Sequence, residues 1–219
     1  MTSLVAALLA WYRETARPLP WRATTDPYRV WLSEVMLQQT QVTTVLPYYA
    51  RFLAQWPTVE ALAAAARDEV LAAWQGLGYY RRAHALHETA RLVVARGGWP
   101  TELAEWRALP GFGEYTAGAL ASIVGGERVP AVDGNVERVL ARLLALEGDP
   151  ARGAARATLR AYAADLVPAE APGEWNQAVM ELGATVCGRQ PRCGECPVAA
   201  WCAGLAGGTP AAYPQRVPR

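Results

Sequence analysis

Apolar residues recur at helical spacing in one run after another along this chain. Each run is closed by proline, glycine or a capping residue, and no stretch alternates as a strand would. Leu4 to Glu14 carries an amphipathic pattern that Arg17-Pro18-Leu19-Pro20 stops. Asp26-Pro27 joins an N-cap to a first-turn proline and opens a long helix in YRVWLSEVMLQQTQVTTVLPYYARFL, with an interruption or kink expected near Pro47. Thr58 precedes the next helix, Asp68 to Gln75 makes another ending at Gly76, and Tyr79 to Arg96 ends at Gly97-Gly98. Glu102 to Ala108 and Glu114 to Ile123 flank Leu109-Pro110-Gly111-Phe112-Gly113. Asn135 to Leu146, Ala151 to Leu166 and Gly173 to Val186 follow, and a Gly/Pro-rich tail begins after Gly207. The expected fold class is all-α, with helices packed by ridges in grooves.

With 219 residues, 52% hydrophobic and 19% charged, the chain can bury a core in one compact unit or two small intertwined lobes. No run approaches eighteen uninterrupted apolar residues, and the opening MTSLVAALLAWYRETARPLPW lacks the basic start of a signal peptide, so an intracellular protein with no membrane span is expected. The 21 basic residues nearly balance the 20 acidic ones, so a nucleic-acid site would have to be a local patch. Every one of those basic residues is arginine. Without lysine, chemistry that runs through a side-chain Schiff base is excluded.

Four cysteines, Cys187, Cys193, Cys196 and Cys202, are spaced C-x5-C-x2-C-x5-C. In an intracellular chain such a cluster points to metal ligation, and tetrahedral zinc and a [4Fe-4S] cube suit four thiolates equally. Gly111-Phe112-Gly113 lacks the strand context of a dinucleotide fingerprint and reads as a tight turn between helices. Such a turn is either an ordinary corner or a set of backbone N–H groups able to hold one phosphate. Glu34 lies in an apolar helical segment, either at the surface or as a partly buried acid suited to general acid catalysis. Asp133 precedes a helix whose first amides would keep it ionised. An acid in an apolar helix and an anion at a helix start form the asymmetric pair used to break glycosidic bonds. Trp21-Arg22 and Gly76-Leu77-Gly78-Tyr79-Tyr80-Arg81-Arg82 offer rings and guanidinium groups for bases and phosphates, against a plainer role as core tyrosines with solvated arginines. His84 and His87 share a helix but have no further candidate ligands nearby in sequence.

LPWR at 19–22, DPYRVWLSEVMLQQTQV at 26–42, GLGYYRRAHAL at 76–86, LPGFGEYTAGALASI at 109–123, VDGNVERVLARL at 132–143 and NQAVMELGATVC at 176–187 resemble the adenine DNA glycosylases. That family lies within the helix-hairpin-helix superfamily that also contains endonuclease III, and the likeness covers essentially the whole chain. It implies a two-lobed all-α fold, with residues 23–133 as a helical barrel and residues 1–22 plus 134–219 as a cluster-bearing lobe. DNA and an extruded adenine would lie between the lobes.

By the same likeness Glu34 is the general acid and Asp133 stabilises the cationic sugar, with Asn135 in nearby polar contacts. Trp21, Arg22, Leu37, Gln177 and Met180 would form the adenine pocket, and Gln38 and Tyr79 would enter the DNA stack near the opposite base. Arg81, Arg82 and the amides of Gly111 and Gly113 would hold the backbone, and Cys187, Cys193, Cys196 and Cys202 would carry a [4Fe-4S] cluster. The substrate implied is double-stranded DNA with adenine opposite 8-oxoguanine or guanine, handled by a cytoplasmic, nucleoid-associated monomer.

Two features depart from the family pattern. CGRQPRC gives five residues in the first cysteine interval where six are usual, which keeps a structural zinc as the alternative. Family members also carry a further C-terminal domain, whereas only the Gly/Pro-rich tail follows Cys202 here. An endonuclease III-like or mismatch thymine glycosylase is the nearest alternative enzyme. Endonuclease III members have a catalytic lysine in the hairpin region where this chain has Tyr115, and they lack the helix glutamate. A non-catalytic hairpin DNA-binding module would leave Glu34 and Asp133 unexplained.

Overall fold

The computed structural model describes residues 3–216 and shows helices joined by short loops, with no strand among the described residues. No helix among them is long and apolar enough to cross a membrane. Two compact units divide the chain, one over Pro18–Gly125 and one built from the segments through Arg17 and from Gly126 onward.

The continuous unit contains α2 (Pro27–Leu37), α3 (Val42–Gln55), α4 (Val59–Ala64), α5 (Arg67–Trp74), α6 (Arg81–Ala95), α7 (Leu103–Arg107) and α8 (Glu114–Ile123). Asp26 caps α2 by accepting hydrogen bonds from the amides of Tyr28 and Arg29 at 2.8 and 3.1 Å, with Pro27 setting the first turn. Thr58 caps α4 through the Ala61 amide. Large rings fill the interior: Phe52 meets Trp56 and Trp74 edge-on, with ring centroids at 5.0 and 5.8 Å. Trp31, Trp99, Trp106 and Phe112 form a second aromatic group.

The sequence predicts a single long helix interrupted near Pro47, and the structure places the break elsewhere. Pro47 lies inside α3, whereas the chain leaves helical geometry over Gln38–Gln41, with Gln39 in the left-handed region at φ 57°. The reason is a distant arginine, Arg82, which binds the last carbonyls of α2 and ends that helix where no glycine or proline marks a stop.

The discontinuous unit packs α1 (Leu4–Thr15), α9 (Gly134–Leu144), α10 (Gly153–Leu166), α11 (Pro172–Thr185) and α12 (Ala203–Ala206) around Leu8, Val136, Leu140, Leu159, Trp175 and Leu182. Along the α1–α11 seam Tyr12 Oη donates to Gln177 Oε1 at 2.9 Å and Arg13 pairs with Glu174. Arg17 makes a two-pronged contact with Glu181, whose carboxylate is 1% exposed. Asn176, fully buried, accepts from the Ala131 amide and donates to the Val129 carbonyl. Those two bonds tie the strand-like approach to α9 into this unit, and Pro20–Arg22 packs with α2 in the other, so the division falls earlier in the chain than residues 22 and 133.

Candidate active site

Glu34 sits two-thirds of the way along α2, where every residue from Val30 to Met36 is buried. It is 7% exposed, which excludes the surface alternative. Its carboxyl is enclosed among the buried residues of α2. In the same unit Trp21 is buried in the turn Pro20–Arg22, edge-on to Tyr49 at 5.2 Å. Burial pushes the Tyr49 phenol up to about 12.

Asp133 is the N-cap of α9 in the other unit. Its Oδ1 accepts from the amides of Asn135 and Val136 at 2.9 and 2.8 Å, and its Oδ2 accepts from Asn135 Nδ2 at 2.9 Å. Asn135 is itself oriented, since its Oδ1 accepts from Arg138 Nη2 at 2.8 Å. Arg138 also donates to the carbonyls of Gly183 and Cys187 at 2.7 and 2.8 Å. The helix-start amides were expected to hold Asp133 low. Burial outweighs them: its pKa is raised from 3.8, while the Val136 and Asn135 bonds and the Arg138 charge pull the other way. A buried carboxylate with several fixed donors is poised to gain from a nearby positive charge.

Leu37 and Gln38 are half-buried, Gln39 is exposed, and Tyr79 is 58% exposed with φ 49°. Gln38 turns its amide toward Thr116 Oγ1 at 3.4 Å, while Gln39, overlooked in the sequence, is presented to solvent at the helix break, as is Gln41. Arg81 is exposed, but Arg82 is 8% exposed and cannot serve as a phosphate contact. Its guanidinium is spent on carbonyls of the 35–38 and 77–78 segments, and burial lowers its pKa.

The hairpin turn is built as the sequence predicts. Gly111 has φ 79° and is exposed, Thr89 Oγ1 donates to the Pro110 carbonyl at 2.9 Å, and Gly113 starts α8 with no side chain over the helix end. Tyr115 is half-buried in the first turn of α8. Gln177 and Met180 are half-buried on α11. His84 and His87 diverge: the first accepts from Arg67 and the second contacts the Ala65 carbonyl.

Cys187, Cys193, Cys196 and Cys202 line one cavity, with Arg142 and Leu205 in its wall. The shortened CGRQPRC loop therefore still brings its two cysteines to the same space. Arg142, 3% exposed, donates to Cys187 Sγ at 3.3 Å, to the carbonyls of Cys187, Gly188 and Arg189, and to those of Pro210 and Tyr213 in the tail. Burial pushes the Cys196 thiol up to about 11, and the neighbouring thiols add to the rise. A cationic inorganic group would displace that proton. Among the described residues no three His, Cys, Asp or Glu side chains are gathered for a single metal ion. The four thiols that line this cavity are the ligands that would hold a metal centre.

Residues 32–164, a span that includes Glu34 and Asp133, match the HhH-GPD superfamily of base excision DNA repair proteins. An adenine DNA glycosylase of Mycobacterium tuberculosis is 43% identical over 208 residues, covering 93% of this chain and 68% of that protein. The chain belongs to the adenine DNA glycosylase family. The human family member is 47% identical over 214 residues and 92% of this chain, and the mouse member 48% identical over the same length. The chain spans 39% and 42% of those two proteins.

Among solved structures, a thermostable thymine-DNA glycosylase superposes with a TM-score of 0.82 at 27% identity, covering 93% of this chain and 95% of that one. A non-covalent endonuclease III-DNA complex gives 0.75 at 20% identity over 93% of this chain, a likeness of fold alone. Residues 188–202 match the iron-sulfur binding domain of endonuclease III. With the four-thiol cavity, that match makes the cofactor of this adenine DNA glycosylase family member a [4Fe-4S] cluster rather than a structural zinc.

Proposed function

We propose that the chain hydrolyses the N-glycosidic bond of adenine in double-stranded DNA, where the adenine lies opposite 8-oxoguanine or guanine. The observation that carries this is the contrast between two carboxyls, Glu34 buried within an apolar helix and Asp133 held by three donors at a helix start. Family membership supplies the base. Flipping the adenine out of the stack costs a few kcal/mol, repaid by contacts to the extruded base and to the gap it leaves. Adenine is a poor leaving group as an anion, so Glu34 protonates N7 as the bond lengthens. Asp133 offsets the charge growing on the deoxyribose, and a water activated by Glu34 completes hydrolysis.

Trp21, Arg22, Leu37, Gln177 and Met180 hold the base. Gln39 and Tyr79 face the opposite base, with Gln38 behind them. Arg81, Tyr115 and the turn at Gly111 and Gly113 hold the backbone. When bound through Cys187, Cys193, Cys196 and Cys202, the cluster supplies four cross-links to a loop that is otherwise short of regular structure. The enzyme acts as a cytoplasmic monomer and leaves an unbroken strand at an abasic site.

The deciding experiment offers duplexes carrying A opposite 8-oxoguanine, A opposite G and T opposite G, and identifies the released base. Adenine from the first two supports the proposal. Thymine from the third alone would replace it with the activity named for the thymine-DNA glycosylase neighbour.

A further inference from the structure

The Arg82 side chain engages the last turn of α2 and two loops, residues 38–40 and 77–79, at once. Nη1 donates to the carbonyls of Val35 and Met36 at 3.0 and 2.8 Å and to that of Gln38. Nη2 donates to Thr40 Oγ1 at 3.1 Å and to the carbonyls of Leu77 and Gly78 at 3.1 and 3.2 Å. The guanidinium lies 5.3 Å from the ring centroids of both Trp74 and Tyr79. Its Nε is buried without a hydrogen-bond partner, so the two terminal nitrogens dictate where the group sits.

The two loops share a second property. Each holds a non-glycine residue in the left-handed region, Gln39 at φ 57° and Tyr79 at φ 49°. Such residues persist only where their surroundings over-determine them. Local support is thin: the Gln38 side chain reaches Thr116 at only 3.4 Å, and Thr40 closes its turn on the Leu37 carbonyl at 3.2 Å. In the second loop the Trp74 indole donates to the Gly78 carbonyl at 3.0 Å and the Leu77 amide to the Trp74 carbonyl at 3.1 Å, and Arg82 adds bonds to both loops at once. We infer that Arg82 is a positioning residue that locks residues 38–40 and 77–79 into one rigid element, and that this lock sets the preference for the base opposite adenine.

The inference rests on the proposal above that Gln39 and Tyr79 face that base. A lysine keeps the charge but offers a flexible point donor in place of a planar fork, so Arg82→Lys separates charge from geometry. Amide hydrogen exchange on the cluster-loaded protein without DNA reads the lock directly. Exchange at the Thr40 and Leu77 amides should accelerate together by about tenfold or more, as the loss of charge-assisted hydrogen bonds implies, with the discontinuous unit unchanged. The ratio of single-turnover excision opposite 8-oxoguanine to that opposite guanine should fall towards one, with excision opposite guanine retained within about threefold. A plain folding defect would instead scale both substrates down equally.

Unchanged exchange at both segments would overturn the lock. Faster exchange with an intact ratio in R82K, while Gln39→Ala and Tyr79→Ala lose theirs, would overturn its link to specificity and leave the assignment of the two loops standing. An intact ratio in all three variants would sink that assignment and the specificity inference with it. If R82K does not fold, Thr40→Val, which deletes one Arg82 acceptor, should accelerate exchange at residues 38–40 alone, and no acceleration there would overturn the inference.

Discussion

Gly183 offers a severe test of how α9 and α11 hold Asp133. It sits inside α11, where alanine is favoured by about 0.8–1 kcal/mol on helix propensity. A Cβ at this position would meet Asn135 Cβ at 2.7 Å and the Asn135 carbonyl carbon and oxygen at 3.2 and 3.1 Å. Neither the backbone atoms nor the first side-chain carbon of Asn135 can swing aside, so the helices must part, at the roughly 1–3 kcal/mol typical of overpacking. The Gly183 carbonyl also accepts from Arg138, and this bond would lengthen as the helices move.

The net expectation for Gly183→Ala is a loss of about 0–2 kcal/mol, or a melting temperature lower by up to roughly 4–8 °C at this chain length. Excision should suffer more than stability, because the residue pushed is Asn135, whose amide and Nδ2 both donate to Asp133. Thermal melting by circular dichroism and single-turnover excision on cluster-loaded protein measure the two effects. Gly134→Ala is the comparison for stability, since a Cβ there meets nothing within 4 Å. A G183A protein that melts higher and excises adenine at the wild-type rate would refute the tight approach of α11 to the Asp133 cap.

Glu34→Gln keeps the shape of the buried acid without its proton, so single-turnover excision should drop by about 10²–10⁴ with duplex affinity near wild type, and a wild-type rate would return Glu34 to a packing role. The Asp133 carboxyl is raised above 3.8, so between that value and its folded pKa the folded protein binds more protons than the unfolded chain. Its contribution to stability is therefore present below 3.8 and lost as pH rises through the folded value, while excision gains as the carboxylate forms. A pH profile of single-turnover excision should show an acid limb above 3.8, and this limb should disappear in Asp133→Asn. With no lysine in the chain, borohydride should trap no side-chain adduct with abasic DNA, and efficient trapping by lyase-free protein would contradict the strand-preserving reaction. Iron and acid-labile sulfide should be present in equal amounts in protein purified without air, whereas zinc without visible absorbance would overturn the cluster.

Most helices were legible because their ends are written locally. Thr58, Asp26-Pro27 and Gly97 each act on the turn beside them, and the structure places helix boundaries within a few residues of those marks. The break at Gln38–Gln41 was not legible, because its cause lies in Arg82, more than forty residues downstream. The same residue shows why charge is a poor guide to exposure. Two adjacent arginines read alike in sequence, yet Arg81 faces solvent and Arg82 is buried on carbonyls. Asp133 was readable as a cap because capping is local, whereas its burial depends on the packing of α9 against α11. Likewise the four cysteines announce metal ligation by spacing, but nothing in their neighbourhood announces that Arg142 closes the loop around them.

The seam between α1 and α11 has a consequence for the order in which the molecule can be built. Helix α1 leaves the ribosome well before α11, the partner that packs with Leu8 and pairs with Arg17 through Glu181. At about 5–20 residues per second, roughly ten to thirty seconds separate the synthesis of Arg17 from that of Glu181. For about the last third of that interval, once Gly125 has been made, the Pro18–Gly125 unit has all of its own chain and can close, while α1 waits with an apolar face uncovered. The cysteine loop emerges later still. Nascent chains stalled before α11 should therefore display a folded middle and an unsatisfied N-terminal helix, the form in which this protein is most exposed to chaperones and to misassembly.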